Sequence, residues 1–203
     1  MTVSSAISIL LTFALLQAGQ RHDGVYSGSS SLVGLADQYC MGPDGDQVLT
    51  WTLAARNGFI PLNMEGFPNL RLPGARGLRG FTRTTDGVEI RVLTAANRVR
   101  QFGEDTYYHL CWVSAANANR REVDRELQAY LGVRRFRQEG AFMYPWVTQP
   151  DGSRESVSRR DFDLQGFGLS RERGMKVVLT GEWRGQVSVT FMTPVSSCAD
   201  WCY

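Results

Sequence analysis

The sequence predicts an α+β fold: a mainly antiparallel sheet with helices packed on one face. Three observations carry this. Asp86-Gly87 lies between β-type residues, the signature of a tight hairpin turn. Val123, Leu127, Tyr130 and Leu131 repeat at i, i+4, i+7 and i+8, the stripe of an amphipathic helix. The elements run as two helices, a group of strands, a helix and a second group of strands. Strands grouped in this way favour α+β over an alternating βαβ architecture.

Taken in order, residues 1–18 read as a signal peptide. The first twenty residues carry no charged side chain, and Ala6–Leu16 form an apolar run followed by the small residues Ala18 and Gly19. Such a run is too short for a membrane span, which needs about 20 residues. Residues 19–30 read as a Gly/Ser-rich linker, and 31–203 as one α+β domain. "SLVGLADQYC" predicts a short helix. "PDGDQVLTWTLAARNGF" predicts a second, with Asp44 or Asp46 as its N-cap, Gly58 as the left-handed C′ residue and Phe59 following. Val48, Trp51, Thr52 and Ala55 recur on it at helical spacing.

The stretch from Ile60 to Gly80 holds three prolines and four glycines and reads as a long loop. The hairpin around Asp86-Gly87 follows. "DTYYHLCWVSA" reads as a central strand, apolar on both faces. "NANRREVDRELQAYLGV" is the clearest helix, started by Asn117 or Asn119 and ended by Gly132. "GAFMYPWVTQ" reads as a strand whose Pro145 points to an edge or a bulge. Pro150-Asp151-Gly152 is a turn. "SRRDFDLQGFGLSRERG" has no clear period, and "MKVVLTGEWRGQVSVTFMTPV" reads as strand, turn, strand.

"YCMGPDGDQVLTWTLAARNGF" resembles the N-terminal part of uncharacterised exported proteins of Alphaproteobacteria. In these a cysteine-bearing helix precedes an Ala-x-x-x-Gly-aromatic helix end, positions held here by Ala54, Gly58 and Phe59. The resemblance covers Tyr39–Phe59. It implies no particular activity and carries over no functional residue.

Composition narrows the function classes. The chain is 43% hydrophobic and 21% charged, enough apolar material for a core, and its net charge of +2 gives no footing for nucleic-acid or membrane-surface binding. Export places the chain in an oxidising compartment, where four cysteines read as disulfides. The preferred pairing is Cys40–Cys111 and Cys198–Cys202. The alternative sends a terminal cysteine to Cys40 or Cys111. Cys198 and Cys202 are spaced one residue wider than a Cys-x-x-Cys redox motif, which favours a staple.

Other constellations have plainer readings. His109 and Cys111 share a strand face, the spacing of a thiolate–imidazole pair, but export favours oxidation and no protease signature surrounds them, so a disulfide cysteine beside a core or edge histidine is the preferred reading. Asp44/Asp46, Glu104/Asp105 and Asp161/Asp163 read as cap, turn and solvated strand face rather than acid–base pairs. No metal-ligand spacing emerges, and neither metal nor cofactor is expected. A cut after Gly19 would put His22 third from the amine, a copper(II)-type arrangement, whereas the favoured cut after Ala18 moves it to fourth. "GARGLRGFTR" leaves Arg76, Arg79 and Arg83 on an open glycine-rich backbone, suited to an anion or partner.

The expected protein is therefore a periplasmic or secreted, disulfide-stabilised binding or inhibitor-like envelope accessory protein. Its expected partner is another envelope protein. The alternatives are a hydrolase of unrecognised type and a small-ligand carrier using Tyr107, Tyr108, Trp112, Tyr144 and Trp146.

Overall fold

Asp86 and Gly87 both adopt positive φ, 51° and 75°, as a two-residue type I′ hairpin requires. In the computed structural model, which describes residues 31–64, 75–101, 104–138, 140–183 and 185–195, this turn joins β2 (Ala75–Thr85) to β3 (Val88–Gln101). The described strands form a single sheet. Its order is β1 (Ile60–Pro61), β2, β3, β4 (Glu104–Ala116), β9 (Gln186–Val195), β8 (Lys176–Trp183), β6 (Ala141–Thr148), β5 (Phe136–Gln138). A further strand, β7 (Arg154–Ser156), pairs with β6. Every pairing is antiparallel. The fold class matches the expectation from sequence, and β4 is central as its two apolar faces require.

Alternation along β4 separates two cores. Cys111, Val113 and Ala115 share one face with Val92, Val178, Val189 and Phe191. This face is covered by α1 (Leu32–Ala36), the π-helical turn that continues it (Asp37–Met41), α2 (Gln47–Arg56) and α3 (Arg120–Leu131). Tyr108, Leu110 and Trp112 point the other way. There α4 (Arg159–Arg173) inserts Phe167 against them and Phe162 and Leu169 against Met143, Val147 and Val177. The α+β class stands, but the helices divide between the two faces rather than gathering on one. The reason is α4 itself, which occupies the segment that lacked a clear period. Gly166 and Gly168 dilute its apolar stripe, so its signal lies in its ends instead. Ser158 Oγ accepts from Asp161 N–H, and Gly174 closes the helix at φ 61°. Asp161 and Asp163 accordingly sit in the first turns of a helix, not on a strand.

The other helix ends follow the sequence closely. Asp46 caps α2 by accepting from Leu49 N–H at 3.0 Å. At the far end Gly58 N–H donates to Ala55 and Phe59 N–H to Ala54, the paired bonds of a Schellman motif. Asn119 caps α3, and Gly132 ends it at φ 68°. The α2 face is turned from the one expected. Thr50 and Ala54 are buried, because Thr50 Oγ1 donates to Tyr39 C=O at 2.7 Å and Trp51 Nε1 to Thr94 Oγ1 at 2.8 Å. Val48, Thr52 and Ala55 therefore face outward.

Pro145 sits inside β6 without cost to the ladder. β5 pairs β6 only to Met143, and β7 begins at Trp146, so the outer side of Pro145 falls in the gap between them. Its carbonyl points into that gap and accepts from Val157 N–H at 3.0 Å. The missing N–H would point the same way, where no strand needs it.

The Cys40–Cys111 disulfide is present, with Cα atoms 5.4 Å apart. It ties the π-helical turn to the middle of β4, and both residues are almost wholly buried, at 0% and 1% exposure. The Cys198–Cys202 pairing lies outside the described residues. A cross-link closing a 71-residue separation removes chain entropy worth about 4 kcal/mol in the unfolded state. The double variant Cys40→Ala/Cys111→Ala is expected to lose about that much, read by chemical denaturation against the oxidised parent.

The same layer is clasped from α3. Tyr130 donates its hydroxyl to Asp37, and Ser31 donates to Glu126. Burial, then the Asp37 carboxylate, pushes the Tyr130 phenol up to about 12 from 10.0. A value raised on folding means the native state holds the proton more tightly. The stabilisation is complete below pH 10 and is lost as pH climbs towards 12. Stability measured across that interval is expected to fall less steeply in Tyr130→Phe than in the parent.

Candidate functional site

The most distinctive chemistry lies at the end of the sheet where β2 begins, β3 ends and β4 begins. Arg76 and Arg79 are three residues apart, which in a regular strand would place them on opposite faces. A bulge intervenes: Arg76 pairs with Ala96 and Arg79 with Thr94, so one extra residue is absorbed, with Gly77 at φ 62°. Both arginines consequently face the same side, as does Arg83. The stretch read from sequence as a flexible loop is, from Ala75 onward, a strand. Its glycines serve a bulge rather than an open phosphate-type cradle.

The three arginines have different duties. Arg83 donates to Asn57 C=O at 2.6 Å and stands 4.7 Å over the Phe59 ring, so it closes the C-terminus of α2. Arg79 is exposed and lies 4.0 Å over the Trp51 ring. This contact holds its guanidinium flat while leaving its edge to solvent. Arg76 is exposed at the tip.

Two residues that sequence reading passed over complete the group. Arg98 and Arg100 continue β3 on the same face, opposite Tyr107 and Asp105. Their side chains are 55% and 66% exposed, and both look to Asp105, at 3.8 and 4.0 Å. Their signal was the alternation Arg98-Val99-Arg100, with Val99 turned into the opposite apolar cluster.

His109 lies beside this group. It accompanies Cys111 on one face, as expected, but Cys111 sulfur is bonded to Cys40 and supplies no thiolate. His109 Nδ1 lies 3.0 Å from Gly45 C=O. A carbonyl only accepts, so the proton sits on Nδ1. Gly45 itself has φ 76°, and Asp44 beside it bonds Lys176 at 2.6 Å. Asp44 and Asp46 are thus an ion-pair partner and a helix cap.

The aromatic residues considered for ligand carriage are mostly core. Tyr108, Trp112, Tyr144 and Trp146 are buried, and Tyr144 donates to Asp124 C=O and accepts from Arg135, each at 3.1 Å. Surface cavities of about 250 and 260 Å³ lie between α4 and β4 and beside α1. Both fall below the ~300–1,000 Å³ usual for small-molecule sites. Among the described residues no group of three or more His, Cys, Asp or Glu is placed to hold a metal ion, and no described helix is long and apolar enough to cross a membrane. Comparison with protein-family models, curated proteins and solved structures finds no match.

The loop carrying Gly45 decides how the N-terminal layer seats on this end of the sheet. A Cβ at Gly45 would lie 2.3 Å from Thr193 Cγ2, on a left-handed backbone. Gly45→Ala is expected to cost about 1–3 kcal/mol by denaturant unfolding. Adding Thr193→Ser removes the clashing methyl and should recover the steric part alone.

Proposed function

We propose that the chain is an exported, disulfide-stabilised binding domain, non-catalytic and inhibitor-like, that acts on another protein of the cell envelope. The observation that carries the reading is the buried Cys40–Cys111 bond, which pins the N-terminal helical layer to the central strand. A cross-link of this kind serves rigidity, and it persists where thiols are oxidised. The leader-like run Ala6–Leu16 supports the same compartment. Arg76, Arg79, Arg98 and Arg100 stand on the rigid strands so anchored, a form suited to recognising a partner without chemistry.

The test is cell fractionation with thiols trapped on lysis. The expected result is a chain processed near Ala18, found in the periplasm or medium, with Cys40 and Cys111 protected from alkylation and a cross-linked complex with a second envelope protein. An unprocessed cytoplasmic chain with alkylated Cys40 and Cys111 overturns the proposal.

A further inference from the structure

We propose that the β2–β3–β4 tip is a docking surface for an extended acidic segment of a partner protein. This rests on the binding reading above and adds its place and its chemistry.

Charge is the first argument. Arg76, Arg79, Arg98 and Arg100 lie on one face; Arg98 and Arg100 share Asp105, and Arg79 lies over the Trp51 ring. The neighbouring acids are engaged elsewhere. Asp44 bonds Lys176, Asp46 caps α2, and Glu104 pairs with Arg171 of α4. The face therefore holds a surplus of positive charge in a chain whose net charge is only +2.

Geometry is the second. A site for one phosphate or carboxylate converges several donors on a point. Here Arg98 and Arg100 are consecutive same-face residues of β3, spaced by about 6.5–7 Å, and Arg76 lies one strand over beside Ala96. That repeat matches alternate side chains of an extended polypeptide. A strand presenting Asp or Glu at every second position offers carboxylates in step with the row, and guanidinium takes carboxylate bidentately.

The third argument is the border of the face. Gln47 Nε2 donates to Ala95 C=O at 2.8 Å, which seats the first turn of α2 next to Ala96. That turn turns Val48 and Leu49 outward, 65% and 43% exposed. Apolar contacts beside a charged row suit a polypeptide, whose side chains alternate in character, better than a uniformly charged polymer.

The experiment measures fluorescence anisotropy of the oxidised chain with a labelled peptide of about twelve residues alternating Glu and Thr. Its isomer, with all Glu contiguous, is the comparison. The alternating peptide should bind more tightly, and binding should weaken as salt rises. Arg98→Glu/Arg100→Glu should lower affinity about tenfold or more. Arg137→Glu/Arg160→Glu makes the same charge change at exposed residues of β5 and α4 and should leave affinity unchanged. Near-ultraviolet circular dichroism confirms that each variant is folded.

No binding, equal binding of the two isomers, or equal loss in both double variants overturns the proposal. So does binding that emerges only after residues 196–203 are removed, which assigns the face to the chain's own tail. If cross-linking still recovers an envelope protein with Arg98→Glu/Arg100→Glu, this surface is wrong and the binding reading stands. If the parent recovers none, the binding reading itself fails.

Discussion

The covalent contact between Cys40 and Cys111 sits where the chain's local and long-range order meet. Cys40 belongs to a helical segment too short to hold itself together in water, since isolated helices of this length are marginal. Cys111 belongs to a central strand of the sheet and is itself buried. Joining them holds α1, the π-helical turn and the following loop against Val92, Val113 and Phe191, and Tyr39 packs edge-on against Phe59 at 5.2 Å. The position of α2 follows from that anchor, because Thr50 bonds the carbonyl of Tyr39, the residue before Cys40.

The second half of the chain is held by a different device. Asp124 is nearly buried on α3 and accepts from Thr180 of β8, while its backbone carbonyl takes the Tyr144 hydroxyl from β6. Arg120 approaches the same carboxylate at 3.9 Å, and Arg135 completes the set by donating to Tyr144. A buried polar group is tolerable only when its bonds are met. This network therefore fixes the seat of α3 more narrowly than the apolar contacts of Val123, Leu127 and Leu131 could. On the opposite face α4 packs through Phe162, Phe167 and Leu169, and at the surface its Arg171 pairs with Glu104 and its Arg173 with Glu155.

The arginine face is a by-product of unequal lengths. β3 runs to Gln101 and β2 starts at Ala75, whereas α2 begins over Ala95. The strands thus reach past the helix that covers them. Their outward residues there are charged on one side, while Leu78, Val99 and Tyr108 remain apolar on the other. One bulge residue converts an odd spacing in sequence into a shared face in space.

Much of the fold was legible in the amino acids because it depends on neighbours in the chain. The Asp86-Gly87 turn, the Asp46 and Asn119 caps, the Gly58 and Gly132 stops and the alternation of β4 are local effects of backbone sterics and side-chain polarity. The Cys40–Cys111 pairing was also inferred, since export and a helix next to a central strand favoured it. What needed tertiary structure was every feature set by distant partners. The buried side of α2 was chosen by Tyr39 and Thr94, not by its own period. The helical state of 159–173 is stabilised by contacts to β4, β6 and β9 that its glycines concealed. The Arg76–Arg79–Arg98–Arg100 row exists because strands register across the sheet. Sequence by itself determined the turns, the caps and the chemistry available, since these act over a few residues. Tertiary structure decided which faces are buried and which arginines meet, since burial and register are properties of the assembled sheet.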